Sequence, residues 1–296
     1  MSAHHPAVAC KQSSYRTRAM AALGAGLLAI GSASCATGDG AAGVPAIRAD
    51  AEQAVRISVQ GGAADVLLFQ PGTGSGPWPG VLVYTDLSGL RPAFAEIGRS
   101  LAREGYVVLI PNAFYRSASI NGASTQGPLT PEQLRERSTT WTGAITDDAA
   151  KQDASTFVAF LDALPTVSKQ AKVGVIGYNY GAPYAFHAAT AMPDRIGAVA
   201  VLHPFRIATA RPNSPHLAVA QSKAGYYVAI AQPDDEREPG DKEDLRKAFA
   251  DARLASEVEV VPGPQGFAVS DDVGYRPALA QTTWAKLTAL LRTNLR

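Results

Sequence analysis

Short apolar runs alternate with amphipathic stretches along most of the chain after residue 50. Apolar, β-branched runs predict buried strands, whereas apolar positions three and four residues apart predict helices. Strands are predicted over 80–85, 106–111, 172–177, 196–202, 225–231 and 257–261. Helices are predicted over 92–104, 147–164, 241–252 and 275–295, with a further one ending near 191. Strands that alternate with helices indicate the α/β class, with a mainly parallel central sheet and helices on both faces.

Two other stretches of this region have different patterns. The alternating runs 55–60 and 65–70 flank Gly61-Gly62 and predict an opening hairpin. Between 117 and 145 the chain is rich in Ser, Thr and Gly, which predicts an irregular excursion with a short helix near 131–138.

The first 35 residues have the composition of an export signal. Lys11, Arg16 and Arg18 precede an apolar run over 20–30, and small residues follow up to Cys35. Basic, apolar and small-residue segments in this order predict a secretory signal. The apolar run is shorter than the roughly 20 residues that span a bilayer, which disfavours an uncleaved anchor.

Two cleavage sites are consistent with this signal. Cys35 directly after small residues resembles a bacterial lipoprotein site, where that cysteine is lipidated, although Ser32 lies where Leu is usual. Cleavage after Ala36 fits about as well, so a lipid-tethered and a freely exported protein both stay open. Both alternatives predict the periplasm or cell envelope of a bacterium. Residues 36–50, rich in Gly and Ala, predict a flexible tether before a folded domain over 51–296.

The charge and cysteine content of that domain argue against several partners and reactive groups. The formal net charge is +1 at pH 7, and no basic tract is present, so we expect no nucleic-acid partner. The only cysteines, Cys10 and Cys35, precede the domain, which therefore has neither a disulfide nor a thiol nucleophile. Spacings typical of metal ligands and phosphate-binding loops are lacking, so we expect no metal and no cofactor.

The stretch "GYNYG" (177–181) follows a predicted strand and precedes a predicted helix. This is the layout of a nucleophile elbow, G-x-Nuc-x-G, which aims a reactive Ser or Cys from a sharp turn. Here the central residue is Asn179. A carboxamide has no accessible anion, and covalent catalysis needs a hydroxyl, thiol, amine or carboxylate.

Several segments around this elbow resemble the dienelactone hydrolase family of α/β-hydrolases, in the family's order and over nearly everything after residue 50. They are "PGVLVYTDLSGLRPAFAEIGRSLAREGYVVLIPNAFYR" (79–116), "GVIGYNYGAPYAF" (174–186), "SPHLA" (214–218), "YVAIAQPDD" (227–235) and "PGPQGFAVSDDVGY" (262–275). The resemblance implies the α/β-hydrolase fold and a Cys-Asp-His triad. In that triad Asn179 takes the nucleophile position, Asp234 the acid position with Asp235 as the near alternative, and Gln265 the histidine position.

The resemblance also implies further members of the site. Asp86 fills an acidic position after the strand that ends at Thr85, and the backbone N–H groups of Tyr180 and Leu87 form the oxyanion hole. No metal is implied. A glutamine cannot take a proton near neutral pH, so Gln265 cannot act as general base.

The resemblance also implies which residues would contact a ligand, and only some of the family's ligand-binding residues are present. Arg116 matches an arginine that pairs with a substrate carboxylate, whereas Val269 replaces a second such arginine. Arg91 is expected near the mouth of the cleft, where it would compensate. Tyr178 is expected to line an aromatic pocket, and His203 follows a strand at the pocket side of the sheet.

Three functions follow from this site. Losing the nucleophile or the base of a triad costs about a millionfold in turnover. The first function is therefore an inactive or weakly active protein that binds a small molecule in the former active-site cleft, with a carboxylate as the candidate ligand. The second is an active hydrolase of small esters or lactones, in which Asp86 or His203 activates water. The third is an interaction protein with a vestigial cleft.

Overall fold

The computed structural model describes residues 52–118 and 129–296. The predicted signal, Cys35 and the tether lie outside these residues, as does part of the predicted excursion over 117–145. Within the described ranges, no helix is long and apolar enough to cross a membrane.

The described strands form an eight-stranded sheet in the order β1-β2-β4-β3-β5-β6-β7-β8. The strand bounds are β1 Gln53–Val59, β2 Gly62–Phe69, β3 Gly80–Tyr84, β4 Val107–Pro111, β5 Val173–Tyr178, β6 Ile196–Leu202, β7 Gly225–Ala231 and β8 Ser256–Val261. The predicted hairpin is β1 and β2, which pair antiparallel, and β2 also pairs antiparallel with β4. All pairs from β4 to β8 are parallel. Every residue of β3, β4, β5 and β7 is buried, which is why these strands are continuous apolar runs.

Seven α-helices are present in the described residues, and the ends of the six predicted ones lie close to their expected positions. They are α1 Pro92–Arg103, α2 Pro131–Glu136, α3 Asp147–Ala163, α4 Ala182–Ala191, α5 Gln232–Arg237, α6 Asp241–Asp251 and α7 Pro277–Asn294. A π-helical turn, Arg137–Trp141, extends α2. The sequence did not predict α5 or the 3-10 turn Pro215–Gln221.

Apolar side chains pack against both faces of the sheet. Phe94 of α1 and Leu287 of α7 belong to one buried cluster, whereas Phe157 of α3, Phe186 of α4 and Phe249 of α6 belong to the other. Helices therefore cover both faces, and the predicted α/β class is confirmed.

The parallel strands bring the predicted polar residues to one edge of the sheet. The carboxyl ends of β3, β5, β6 and β7 lie side by side there. Asp86, Asn179, His203 and Asp234 each come within three residues of one of these ends. Ligand sites of open α/β sheets lie at this edge.

Candidate active site

The turn after β5 has the geometry of a nucleophile elbow. Asn179 lies in the left-handed region with φ 50°, which is uncommon for a residue other than glycine. A Cβ atom on Gly181 would lie 2.5 Å from the carbonyl oxygen of Thr85, and one on Gly177 would lie 2.7 Å from Cα of Ala182. Both glycines are required because backbone occupies the space of a side chain, and the close packing holds the strained turn in place.

Asn179 satisfies the backbone donor next to it with its own side chain. Its Oδ1 accepts a hydrogen bond from the N–H of Tyr180 over 2.8 Å. That N–H is one of the two donors that the family resemblance assigns to the oxyanion hole. The bond orients the carboxamide, since only the oxygen can accept, and it leaves the side-chain NH₂ as a donor.

The second assigned donor belongs to a loop held by a buried arginine. Arg137 Nη1 donates to the carbonyl oxygen of Leu87 over 2.7 Å. The guanidinium lies over the ring of Trp141, 4.1 Å from its centroid. Burial lowers the pKa of Arg137. The hydrogen bond from Arg137 thus holds the loop that carries Leu87 in place.

Gln265 replaces the triad histidine and contacts the triad acid. Its Nε2 donates to Oδ2 of Asp234 over 2.6 Å, and its Oε1 accepts from the N–H of Gly266 over 3.2 Å. Arg237 donates to the other carboxylate oxygen. Burial raises the pKa of Asp234, while the bonds from Arg237 and Gln265 act in the opposite direction. The pair keeps a side-chain hydrogen bond to Asp234 but has no group that accepts a proton from a nucleophile.

Asp86 forms a buried ion pair with Arg91. Arg91 Nη1 and Nη2 donate to the two carboxylate oxygens of Asp86 over 2.6 and 2.8 Å. Its Nε donates to both oxygens of Asp271 over 3.0 Å. The Arg91 side chain is only 5% exposed. Arg91 was expected to bind a ligand carboxylate in place of the arginine that Val269 replaces. Its guanidinium is instead paired with the carboxylates of Asp86 and Asp271.

His203 lies at the floor of the cleft, with φ 38° and 1% exposure. Neither ring nitrogen has a hydrogen bond of normal geometry among the described residues, although the Gln265 side chain approaches the ring. The ring packs edge-on against Phe267, at a centroid distance of 5.3 Å, and near Tyr178. Burial lowers the pKa of His203 to about 3. The ring is therefore neutral at neutral pH.

These side chains line one cleft of about 410 Å³. The sequence-predicted residues at its wall are Asp86, Leu87, Arg91, Asn179, Tyr180, His203, Asp234 and Gln265. A volume of this size accommodates a small molecule. No group of side chains within 52–118 and 129–296 is arranged to hold a metal ion.

Two residues predicted to contact a ligand lie elsewhere. Arg116 donates to both carboxylate oxygens of Asp153, over 2.5 and 3.1 Å, and to the carbonyl oxygen of Gln60. Tyr178 is 1% exposed and packs edge-on against Phe94, beneath the cleft wall. Neither side chain lines the cleft. Arg116 is engaged because a buried carboxylate on α3 pairs with it.

Some residues at the cleft were not predicted. Asp271 and Asp272 reach it from the loop that carries Gln265, and Arg237 reaches it from α5. Phe205 stacks on Tyr180 at a centroid distance of 4.1 Å. The sequence held one weak signal for them: two adjacent carboxylates six and seven residues after Gln265.

Comparisons with known proteins identify the family and the fold. The family model described as "Dienelactone hydrolase family" matches residues 64–295. The carboxymethylenebutenolidase of Rhodococcus opacus is 26% identical over 204 residues, which cover 69% of this chain and 71% of that protein. The described fold is also similar to two solved structures. One is a dienelactone hydrolase-like promiscuous phosphotriesterase, P91, from metagenomic libraries (TM-score 0.68, 17% identity, 83% of this chain and 99% of that chain). The other is the dienelactone hydrolase of Anabaena variabilis (TM-score 0.56, 18% identity, 83% and 99%).

Proposed function

The chain belongs to the dienelactone hydrolase family, and we propose that it binds a small molecule in the family's active-site cleft while hydrolysing esters and lactones very slowly or not at all. The observation that carries this proposal is the position of the Asn179 carboxamide. Its oxygen accepts from the Tyr180 N–H at 2.8 Å, so the elbow presents an amide group in place of a nucleophile and fills a donor that a developing oxyanion needs.

The histidine position supports the same proposal. A triad needs a base that takes the proton of the nucleophile and returns it to the leaving group. Gln265 holds Asp234 at 2.6 Å but has no basic nitrogen. The nucleophile and the base are therefore both absent, whereas the acid that orients the base is kept.

The alternative in which water is activated directly has weaker support. Both oxygens of Asp86 accept bonds from Arg91, and Oδ1 also accepts from the N–H of Ser88 over 2.8 Å. A carboxylate held in this way has few lone pairs left for a water molecule. His203 is a poor base because burial lowers its pKa to about 3.

The test compares the wild type with the double variant Asn179→Cys plus Gln265→His on aryl esters and lactones. We expect little turnover by the wild type and a gain of at least about a hundredfold in the double variant, because the elbow, Asp234 and Leu87 are in place. Asn179→Cys alone is the matched control, since it supplies a thiol without a base.

Rapid hydrolysis by the wild type, lost in Asp86→Asn or His203→Phe, would overturn the proposal in favour of the water-activating alternative. Absence of activity in the double variant would show instead that the scaffold no longer supports the family's chemistry. In both cases binding is measured on the same preparation, so that turnover and binding are separated.

We also propose that the protein is exported from the bacterial cytoplasm, on the basis of the basic, apolar and small-residue segments before Cys35. Cell fractionation of the wild type and Cys35→Ala distinguishes the two forms of export. Release of the variant from membranes supports a lipid anchor at Cys35, and a soluble envelope protein in both cases supports free export. Cytoplasmic retention of the wild type would contradict export.

A further inference from the structure

We infer that the cleft selects small molecules that have an apolar body and a neutral or positively charged polar head, and that it rejects carboxylates. This inference rests on the proposed binding function and names its ligand class. It differs from the carboxylate ligand that the family resemblance implied.

Carboxyl groups outnumber cations among the described residues that line the cleft. Asp86, Asp234, Asp271 and Asp272 contribute four carboxyl groups, against the guanidinium groups of Arg91 and Arg237. The negative excess repels a carboxylate ligand and attracts a cation.

Both arginines at the cleft are already engaged. Arg91 donates to Asp86 and Asp271, and additionally to the carbonyl oxygen of Gly89 over 3.4 Å. Arg237 donates to Asp234 and lies at the rim, with its side chain 57% exposed. At Arg91 a ligand carboxylate would have to displace a protein carboxylate from a buried pair, which leaves the displaced charge uncompensated. The exposed Arg237 offers a carboxylate only a weak pair that solvent screens.

Asp272 is the carboxylate best placed to meet a ligand. Its Oδ1 accepts from the N–H of Gly274 over 2.7 Å, and its carboxyl group packs over Gly266, where a Cβ atom would lie only 2.2 Å away. It forms no salt bridge with any cation of the described chain. Burial raises the pKa of Asp272, and the carboxylates of Asp86 and Asp271 act in the same direction, whereas the Gly274 N–H bond and the Arg91 guanidinium lower it. A ligand cation would relieve this repulsion.

The floor of the cleft independently points to a ligand with a hydrogen-bonding head. His203 is 1% exposed and lines the cleft, the Gln265 side chain approaches its ring, and neither ring nitrogen has a hydrogen bond of normal geometry to a described residue. A buried polar group without a hydrogen bond costs about 1–3 kcal/mol. A neutral imidazole offers one donor and one acceptor, and Asn179 adds an NH₂ donor. An amide head, which both donates and accepts hydrogen bonds, matches this set, whereas an amidinium head only donates and would meet the imidazole acceptor and the carboxylates.

Part of the rim of the cleft is apolar. Leu134 is 46% exposed and Val273 is 79% exposed, and both line the cleft opening. The stacked rings of Tyr180 and Phe205 form one wall. Large apolar side chains that are exposed together around a cleft indicate contact with an apolar ligand body.

The test uses three probes of the same shape and different charge: benzamidine, benzamide and benzoate. We expect ligand-observed NMR titrations and thermal shifts at constant ionic strength to rank benzamidine above benzamide and benzamide above benzoate. In Asp272→Asn, which keeps an acceptor for the Gly274 N–H, we expect benzamidine to lose roughly tenfold in affinity while benzamide changes little. Asp251→Asn is the matched control, because this exposed aspartate on α6 pairs with Lys247 outside the cleft.

Benzoate binding at least as tightly as benzamidine would overturn the inference and leave the binding function intact. Equal loss of benzamidine affinity in Asp272→Asn and Asp251→Asn would also overturn it, as would the absence of binding by all three probes. Rapid turnover of aryl esters by the same preparation would instead contradict the proposed function.

Discussion

The side-chain amide of Gln265 donates to the carboxylate of Asp234 over 2.6 Å, which is the contact that a triad histidine makes with its aspartate. The glutamine keeps this hydrogen bond and removes the proton acceptor. Asp234 is buried, so an apolar residue at 265 would leave it with Arg237 as its remaining side-chain partner. The observed pair therefore removes the base but preserves the polar network.

The first prediction concerns Gln265→Glu, which places a second carboxyl group at hydrogen-bond distance from Asp234. Two such groups share a proton, so the pKa of the pair is raised in the folded state. A raised folded pKa gives stability that is present at low pH and lost as pH rises. We expect the variant to be about 1–3 kcal/mol less stable than the wild type at pH 8 and to recover most of this near pH 4, by urea denaturation.

Gln232→Glu is the matched control for this variant. Gln232 is exposed on α5 and donates to Glu236 over 2.7 Å, so the substitution creates the same like-charge pair in solvent. We expect a change below about 0.5 kcal/mol. Similar losses in the two variants would contradict a buried Gln265–Asp234 pair.

The second prediction concerns Arg91→Met. Arg91 is 5% exposed and bridges Asp86 and Asp271, so its removal leaves two carboxylates without their cation. We expect a loss of about 3–5 kcal/mol in the free energy of unfolding.

Arg99→Met is the control, since the Arg99 side chain is 42% exposed where it pairs with Glu52. Its loss should cost below about 1 kcal/mol. Chemical denaturation in which Arg91→Met costs no more than Arg99→Met would refute the prediction.

Apolar periodicity predicted most of the fold because the inner strands are buried on both faces. Helix α5 was not predicted, since its sequence, QPDDER, has no apolar stripe. The cleft was predicted only in part. Arg91 and Asp271 pair across 180 residues, and Arg116 pairs with Asp153 across 37, so no local pattern encodes either contact. The elbow was predictable because its pattern, two glycines flanking residue 179, lies within five consecutive residues (177–181).

The third prediction concerns Gly181→Ala. The backbone φ of Gly181 is −74°, which any residue adopts, so only space requires glycine here. A Cβ atom would lie 2.5 Å from the carbonyl oxygen of Thr85, and backbone must move to admit it. We expect a loss of at least about 2 kcal/mol in urea denaturation.

Gly143→Ala is the control for steric effects, because a Cβ atom there meets nothing within 4 Å. We expect a change of about 0.5 kcal/mol or less. If Gly181→Ala were tolerated as well as Gly143→Ala, the close approach of the elbow to the end of β3 would be wrong.

The last prediction concerns the pH dependence that His203 gives to stability. Its pKa falls from 6.5 to about 3 on folding, because burial disfavours the charged ring. Between these values the unfolded chain binds a proton that the folded protein does not, so stability falls as pH falls. In His203→Phe this contribution is absent. We therefore expect the stability of the variant relative to the wild type to rise by about 1.4 kcal/mol per pH unit as pH decreases from 6 to 4. Denaturation measured across this range separates this effect from a change in packing, because a packing change would shift the stability of the variant by the same amount at every pH. If plots of stability against pH for the two proteins were parallel, His203 would not be buried in its neutral form.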